Sequence, residues 1–248
     1  MAKDKCHRTL GDEFANYHGY WSRELEALLK IDIEYFSLYD KLLRVTLERK
    51  NLSAVQQELI HVAVAGQVTY LNREALRHHI KRAETLGATE SEIVETLQLA
   101  SALGTHSMLV GVPIAHEVFE ELGVAQDISE ASLSVEQLAL KQRFIADRKY
   151  WTPHWDAVLA YSPEYFEAYL NLSSVPWVRN TLDDWFKELI YIAIDVATTH
   201  LFTVGIRTHT QKAIEYGATP GQVIDVMSIA STIGSHTALA GMDLLPRN

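Results

Sequence analysis

Glutamate and histidine recur together at one fixed interval in two separate stretches of this chain. Glu58 precedes His79 by 21 residues, and Glu188 precedes His209 by the same interval. Each glutamate lies within a strongly apolar segment, where burial raises the pKa of a carboxyl group and makes it usable as an acid or base near neutral pH. Imidazole titrates near physiological pH. A Glu–His pair that joins two neighbouring helices would therefore suit proton transfer, and the alternative is a buried structural network.

Six other residues are candidates for contact with a ligand. The two arginines could instead form structural ion pairs with the glutamates. The two histidines that follow helix-breaking glycines either reach a shared pocket or cap a helix end. The remaining two residues occupy equivalent positions in the two stretches. These candidates are Arg77, Arg207, Tyr70, His200, His106 and His236.

A metal site is a second interpretation of the first stretch. Glu58 and His61 have the i, i+3 spacing used by carboxylate-bridged metal sites, and His79 and His106 could complete such a set. The second stretch has Tyr191 where the first has His61. This asymmetry argues against a metal site in both halves.

The segments that would position these residues form an internal repeat with two copies. Residues 10–111 align without a gap on residues 140–241, with about 30 identities where unrelated sequences would give roughly six. Long stretches carry apolar residues at helical spacing, and capping patterns begin at Ser53 and Thr89. No segment shows a pattern that favours a β-strand over these helices. The sequence predicts an all-α protein with two helical repeats, 1–125 and 126–248, joined by a polar linker.

Composition limits the class of protein. The net charge of −10, with no cluster of basic residues, argues against a nucleic-acid partner. The single cysteine, Cys6, cannot form an internal disulfide, which fits a reducing compartment. The N-terminal residues do not resemble a signal peptide, and no apolar run reaches the ~18–20 residues of a membrane span. We expect a soluble, cytoplasmic protein without a membrane partner.

Each repeat resembles the carboxymuconolactone decarboxylase and AhpD-like family. The resemblance rests on a Glu-Leu-Ile helix, a following helix that contains the recurrent histidine, and a Gly-Ala-Thr turn before the next helix. In the chain these elements are Glu58-Leu59-Ile60, Leu76–Ala83 and Gly87-Ala88-Thr89, and then Glu188-Leu189-Ile190, Arg207–Ala213 and Gly217-Ala218-Thr219. The resemblance implies two tandem AhpD-like domains that form a pseudo-dimer.

The chain lacks the two cysteines that the peroxidase branch of the family requires. That branch uses a Cys-x-x-Cys placed 12 and 15 residues after the glutamate. Those positions are Tyr70 and Arg73 in the first repeat, and His200 and Thr203 in the second. Without a thiol at either site, the chain is not a thiol peroxidase. The family histidine aligns with Arg77 by ungapped counting from the peroxidase pattern, and with His79 by the decarboxylase pattern, which fits the neighbouring residues better.

The decarboxylase branch implies a lyase that needs neither a metal nor an organic cofactor. It would act on a small carboxylated lactone or ring acid from the breakdown of aromatic compounds. By this resemblance, Arg77 or Arg207 anchors the substrate carboxylate, the histidines of the Glu–His pairs return a proton, and the glutamates orient them. The alternatives are the metal-dependent enzyme and a protein that binds small molecules without catalysis. Single-copy members form trimers or hexamers, so a tandem chain is expected to form a homotrimer, a pseudo-hexamer.

Overall fold

The described part of the chain folds into helices and connecting turns. The computed structural model describes residues 2–245, without the side chains of residues 2–6 and 243, so the Cys6 side chain lies outside the described part. No strand occurs among these residues, which confirms the all-α prediction. The helices of the first repeat are α1 Ala2–His18, α2 Arg23–Ile31, α3 Ile33–Arg49, α4 Ala54–Gly66, α5 Arg73–Leu86, α6 Glu90–Ser101 and α7 His106–Glu121. Those of the second are α8 Val135–Arg148, α9 His154–Tyr161, α10 Pro163–Arg179, α11 Asp184–Val196, α12 Thr203–Glu215, α13 Pro220–Ser231 and α14 His236–Leu244.

The predicted helix boundaries follow from capping chemistry. The Ser53 hydroxyl accepts the N–H of Gln56, whose side chain accepts the N–H of Ser53 in return. Thr89 begins α6 in the same way. Gly87 ends α5 with a φ of 104°, a left-handed conformation that glycine adopts without steric strain. Short 3₁₀ segments at Ala102–Thr105 and Thr232–Ser235 contain the predicted breaking glycines.

Two compact units divide the chain differently from the sequence repeats. One unit comprises Met1–Ala100 and Thr181–Asn248, and the other comprises Ser101–Asn180. The repeat boundary between residues 125 and 126 stays a prediction about the sequence. The larger unit therefore combines helices from both repeats, and it contains both Glu–His pairs.

Within the larger unit, the apolar helices α4 and α11 lie at the centre. α4 packs against α5, α11 packs against α12, and α4 and α11 contact each other. Two helices of the second repeat also pack on the first, because α13 contacts α3 and α4, and α14 contacts α2. Leu59, Ile60 and Val62 of α4 are fully buried, as expected for a helix that is apolar on most of its surface. The terminal helix α14 thereby brings residues of the second repeat to the first.

The smaller unit has its own aromatic core. Phe144 lies 5.2 Å from Trp155 and 5.8 Å from Phe166, measured between ring centroids, and all three side chains are buried. α7 packs on α9, and α10 packs on α8 and α9. Aromatic rings at such distances contribute packing beyond their buried area. Burial of this cluster accounts for the cohesion of the unit.

Two helical stretches are long and apolar enough to cross a membrane by length and composition alone. They are Glu90–Glu121 and Pro220–Met242, each interrupted by one of the 3₁₀ segments. Core helices of soluble proteins pass the same test, so length and composition alone give weak support for a span.

Candidate active site

Glu58 and His79 form a hydrogen-bonded pair between α4 and α5. The Nδ1 atom of His79 lies 2.8 Å from Oε2 of Glu58. An ionised carboxylate only accepts, so Nδ1 then carries the proton and donates it. When Glu58 is protonated, the direction reverses, and Nε2 of His79 carries the ring proton. The contact can therefore pass a proton between the carboxyl group and the far side of the imidazole.

The second repeat reproduces this pair. Nδ1 of His209 lies 2.6 Å from Oε2 of Glu188, between α11 and α12. The sequence interval of 21 residues thus corresponds to the same juxtaposition in both copies. The structure brings these predicted residues together, while their catalytic role stays a prediction.

A small inner cavity of about 60 Å³ lies beside the pair of the first repeat. Glu58, His61 and His79 line it, together with apolar side chains from α3 and α4. The residues from other parts of the larger unit that matter for its chemistry are Tyr20, Tyr39, Tyr70, Arg82 and His236. This volume is about that of one or two water molecules and far below that of a whole ring acid.

A larger outer cavity of about 370 Å³ adjoins the inner one. Tyr20, Ala75, His79 and His236 line both cavities and so form the boundary between them. The outer walls come from the turn before α2 and from α2, α5 and α14. They include Trp21, Leu25, Leu239 and Leu244 together with the carboxylates of Glu24 and Glu74. A small ring fits in this volume. A ligand that extends from the outer into the inner cavity must pass His79.

Burial controls the protonation of the site. Burial, together with the charge of a neighbouring histidine, lowers the pKa values of His79 and His61 to about 3. Burial also raises the pKa of Glu58, against the attraction of His61 and Arg82. Both imidazoles are therefore neutral at physiological pH. A proton held by the pair resides on Glu58 rather than on His79.

Tyrosine hydroxyls supply neutral hydrogen-bond donors around this pair. Tyr20 and Tyr39 bond to each other, and burial raises the pKa of Tyr20 well above its usual value and that of Tyr39 to about 12. The Tyr70 hydroxyl bonds to Nδ1 of His236 and accepts the amide N–H of Asn72 at 3.1 Å. Such donors can stabilise negative charge that develops on a bound oxygen.

The turn that presents Tyr70 is strained in both repeats. Leu71 has a φ of 38°, and its counterpart Leu201, which follows His200, has a φ of 53°. A leucine in this region costs about 1–3 kcal/mol and persists only where surrounding contacts impose it. Backbone bonds from Leu71 to Gln67 and from Asn72 to Ala65 hold the turn. The same strained turn therefore fixes the position of Tyr70 in the first repeat and of His200 in the second.

The predicted arginines do not lie at this site. Arg77 and Arg207 are exposed on α5 and α12, and neither lines the inner or the outer cavity. Arg82 lines the inner cavity instead. Residues two apart lie on opposite sides of a helix, whereas residues three apart share a face. The helical phase relative to His79 was the sequence signal that would have favoured Arg82 over Arg77.

Glycine makes room for Arg82. Gly19 has a φ of 75°, and a Cβ atom at that position would lie 2.5 Å from Cζ of Arg82. The guanidinium group therefore packs directly over the backbone between α1 and α2. In the second repeat the equivalent cation, Lys212, bonds to Glu215 at 2.6 Å.

The remaining predicted residues fall into two groups. Tyr70 and His236 meet at the first site, although they come from different repeats. His200 is half-buried, its ring is stacked 5.8 Å from that of Phe202, and burial lowers its pKa. His106 begins α7 in the smaller unit. The exchange of terminal helices explains why His236 reaches the first site, which no sequence spacing indicates.

The second Glu–His pair has different surroundings. Tyr191 replaces His61, and its ring centroid lies 4.6 Å from that of His209. Oδ2 of the buried Asp195 lies 4.0 Å from Nε2 of His209, so a carboxylate stands near each ring nitrogen. Burial, against the attraction of His209 and together with the nearby Glu188, raises the pKa of Asp195 to about 7. The two sites thus share one pair but differ in charge.

The geometry does not fit the alternative metal site of the first repeat. The rings of His61 and His79 are stacked, with centroids 4.4 Å apart and planes within 5° of parallel. The lone pairs of imidazole lie in the ring plane, so two parallel, stacked rings do not direct them at one ion. Among the described residues, Glu58, His61 and His79 also do not form a set with all ligand atoms within 4.8 Å.

Comparison with known proteins agrees with this architecture. The Carboxymuconolactone decarboxylase family matches residues 34–117 and 163–245, more than half of the chain. No curated protein matches. A crystal structure from Burkholderia xenovorans LB400, provisionally named a gamma-carboxymuconolactone decarboxylase subunit, is 35% identical, with a TM-score of 0.92. The alignment covers 96% of this chain and 95% of that one. The chain therefore belongs to the carboxymuconolactone decarboxylase family, as a member with two tandem copies of the family domain.

Proposed function

We propose that this chain is a lyase that releases CO₂ from a small carboxylated lactone or a related ring acid. The proposal depends chiefly on one observation: the Glu58–His79 pair lies where a small inner cavity meets a larger outer one. The outer cavity is large enough for a ring of this kind, and the inner one for its carboxylate. The family supports the reaction class, and the name of the structural relative suggests the kind of substrate.

Arg82 supplies the charge that such a substrate needs. Among the described residues that line either cavity, it is the one arginine or lysine. A carboxylate buried without a partner is strongly disfavoured, so it would turn toward this guanidinium group. The apolar walls around it favour neutral CO₂ over the charged carboxylate. The substrate is thereby oriented with its scissile bond next to His79.

The reaction then needs an electron sink and one proton. The carbon–carboxyl bond breaks, and its electron pair moves through the conjugated double bond onto the lactone carbonyl, which gives a dienolate and CO₂. A hydroxyl of Tyr20 or Tyr70 stabilises the oxyanion. Nε2–H of His79 delivers its proton to carbon while Glu58 passes its own proton to Nδ1. Nε2 of His79 then takes a proton from solvent while Nδ1 returns its proton to Glu58, which restores the starting state, and no metal or organic cofactor enters the sequence.

Assembly and location are part of the same proposal. The relative's name includes the word subunit, which supports an oligomer, and we propose a homotrimer. Light scattering coupled to size exclusion would then give a mass of three chains of 28.0 kDa. A strictly monomeric profile contradicts this. A cytoplasmic location and a place in the breakdown of aromatic compounds are proposed from the family resemblance alone.

The direct test is turnover of gamma-carboxymuconolactone by the purified full chain. We expect release of one CO₂ per lactone consumed, and incorporation of one deuterium at carbon when the reaction is run in D₂O. If neither this lactone nor other conjugated carboxylated lactones lose CO₂ faster than in buffer, the lyase proposal is wrong. Binding without turnover would favour the alternative, a non-catalytic binding protein.

A further inference from the structure

The two repeats differ at two positions that face the Glu–His pairs. Ala65 lines the inner cavity of the first site, and the equivalent residue of the second repeat is Asp195. Ala75 lines both cavities of the first site, and its equivalent is Gly205. One change adds a carboxyl group, and the other removes a methyl group.

These two changes fit each other sterically. A Cβ atom on Gly205 would lie 2.0 Å from Oδ2 of Asp195, 2.8 Å from its Cγ and 2.8 Å from Cδ1 of Phe202. The carboxyl group therefore fills space that an alanine side chain would need. In the first repeat both positions are alanine and the same region is a cavity. The absence of a side chain at Gly205 thus accommodates both the carboxyl group of Asp195 and the ring of Phe202, whose equivalent in the first repeat is Asn72.

Asp195 also lies beside the histidine of the second pair. Its Oδ2 atom lies 4.0 Å from Nε2 of His209, the ring nitrogen opposite the one bonded to Glu188. In the first repeat the corresponding Nε2 of His79 is the atom that would meet a substrate. Glu188 is 1% exposed, whereas Glu58 is 14% exposed. The carboxylate of the second pair is thus more deeply buried than that of the first, while His209 and His79 are similarly exposed, at 12% and 15%.

We infer that Asp195 occupies, in the second repeat, the position that the substrate carboxylate takes in the first. The inference rests on the proposed function, because it assumes a carboxylated ligand. A second carboxylate beside Asp195 and Glu188 would meet like charge in a buried site and would find its space filled. The second repeat therefore keeps the family's Glu–His pair but does not bind substrate. Each chain has one working site, the first.

Stoichiometry of binding tests this directly. The probe is 5-oxotetrahydrofuran-2-carboxylate, a carboxylated lactone that lacks the conjugated double bond and so does not decarboxylate. Isothermal titration of the full chain is expected to give one site. The double variant D195A/G205A, which restores the first-repeat residues, is expected to give two. D195N is the matched control: it removes the charge but keeps the volume, and it should still give one.

The reverse exchange provides a second arm. A65D/A75G places the second-repeat residues in the first site, and we expect its affinity for the probe to fall about 100-fold. Circular dichroism and thermal unfolding check that each variant folds. If A65D/A75G does not fold, the stoichiometry of D195A/G205A decides alone.

The outcomes separate this inference from the proposed function. Two sites in the wild-type chain, or one site in a folded D195A/G205A variant, would overturn the inference and leave the lyase proposal intact. One site that becomes two, without CO₂ release from any conjugated carboxylated lactone, would support the inference and contradict the lyase. A wild-type chain that binds no carboxylated lactone contradicts both.

Discussion

The imidazole rings of His61 and His79 lie face to face, 4.4 Å apart between centroids. Burial holds the pKa of each at about 3, and the charge of one ring would further oppose protonation of the other. Both rings are thus maintained neutral where free histidine would be half-protonated at pH 6.5. The low pKa values of the two rings make the stability of the fold depend on pH.

The protein should lose stability as the pH falls below 6.5. Between pH 6.5 and about 3 the unfolded chain binds protons on these two histidines and the folded chain does not. The free energy of unfolding therefore rises with pH across this window. From pH 6.5 to 5.5 the two groups together are expected to remove about 2 kcal/mol. The raised pKa values of Glu58 and Asp195 offset part of this loss, because the folded chain holds protons on these carboxyl groups that the unfolded chain has released. Urea unfolding at a series of pH values measures this.

The second repeat offers a control for that measurement. Tyr191 stands where the first repeat has His61, so H61Y introduces a residue that the fold already accepts at the equivalent position. The variant should show a shallower dependence of stability on pH, by close to one proton. An unchanged slope would mean that His61 is not the group responsible.

The Glu58–His79 pairing could be predicted from the sequence, because the same interval between the two residue types recurs in both repeats. The role of Arg82 could also have been predicted, because Arg82 follows His79 by three residues and so shares its face of α5. The contribution of His236 was not, since it depends on the packing of α14 on α2 between repeats. Nor was the role of Gly205, because a missing Cβ has meaning only when Asp195 is seen beside it.

Replacement of Glu58 by glutamine tests the proton relay. Glutamine keeps the shape and can still accept a hydrogen bond, but it cannot take up or release a proton. E58Q is expected to lower kcat for CO₂ release by about 100-fold or more, with little change in KM or thermal stability. The control is E84Q, which removes an exposed carboxylate from α5. Full turnover by a folded E58Q would remove Glu58 from the mechanism.

Two arginines on the same helix provide a matched test of the carboxylate anchor. Arg82 lines the inner cavity, whereas Arg77 is exposed. R82Q should weaken binding of 5-oxotetrahydrofuran-2-carboxylate by about 10- to 100-fold, because a charge-assisted hydrogen bond is lost in a buried site. R77Q should change the affinity by less than about twofold. If R77Q proves the more harmful, the anchor predicted from the sequence is correct and the role of Arg82 is wrong.

Two equivalent carboxylates join the repeats within the larger unit, but in unequal surroundings. Glu95 accepts the backbone N–H groups of Thr181 and Leu182, each at 3.0 Å, and lies 3.8 Å from Nζ of the fully buried Lys187. Its counterpart Asp225 accepts from Arg49 at 3.1 Å and Asn51 at 2.8 Å.

The two carboxylates should therefore differ in their effect on stability. Arg49 is 49% exposed and can be solvated when its partner is lost, whereas Lys187 is fully buried and would lose the compensation of one acidic neighbour. Removing one partner of a buried pair leaves an under-compensated charge, so E95Q is expected to cost about 3 kcal/mol of unfolding free energy. D225N is expected to cost about 1 kcal/mol. Urea unfolding at pH 7.5 compares them, and equal losses would show that burial of Lys187 does not set the strength of this contact.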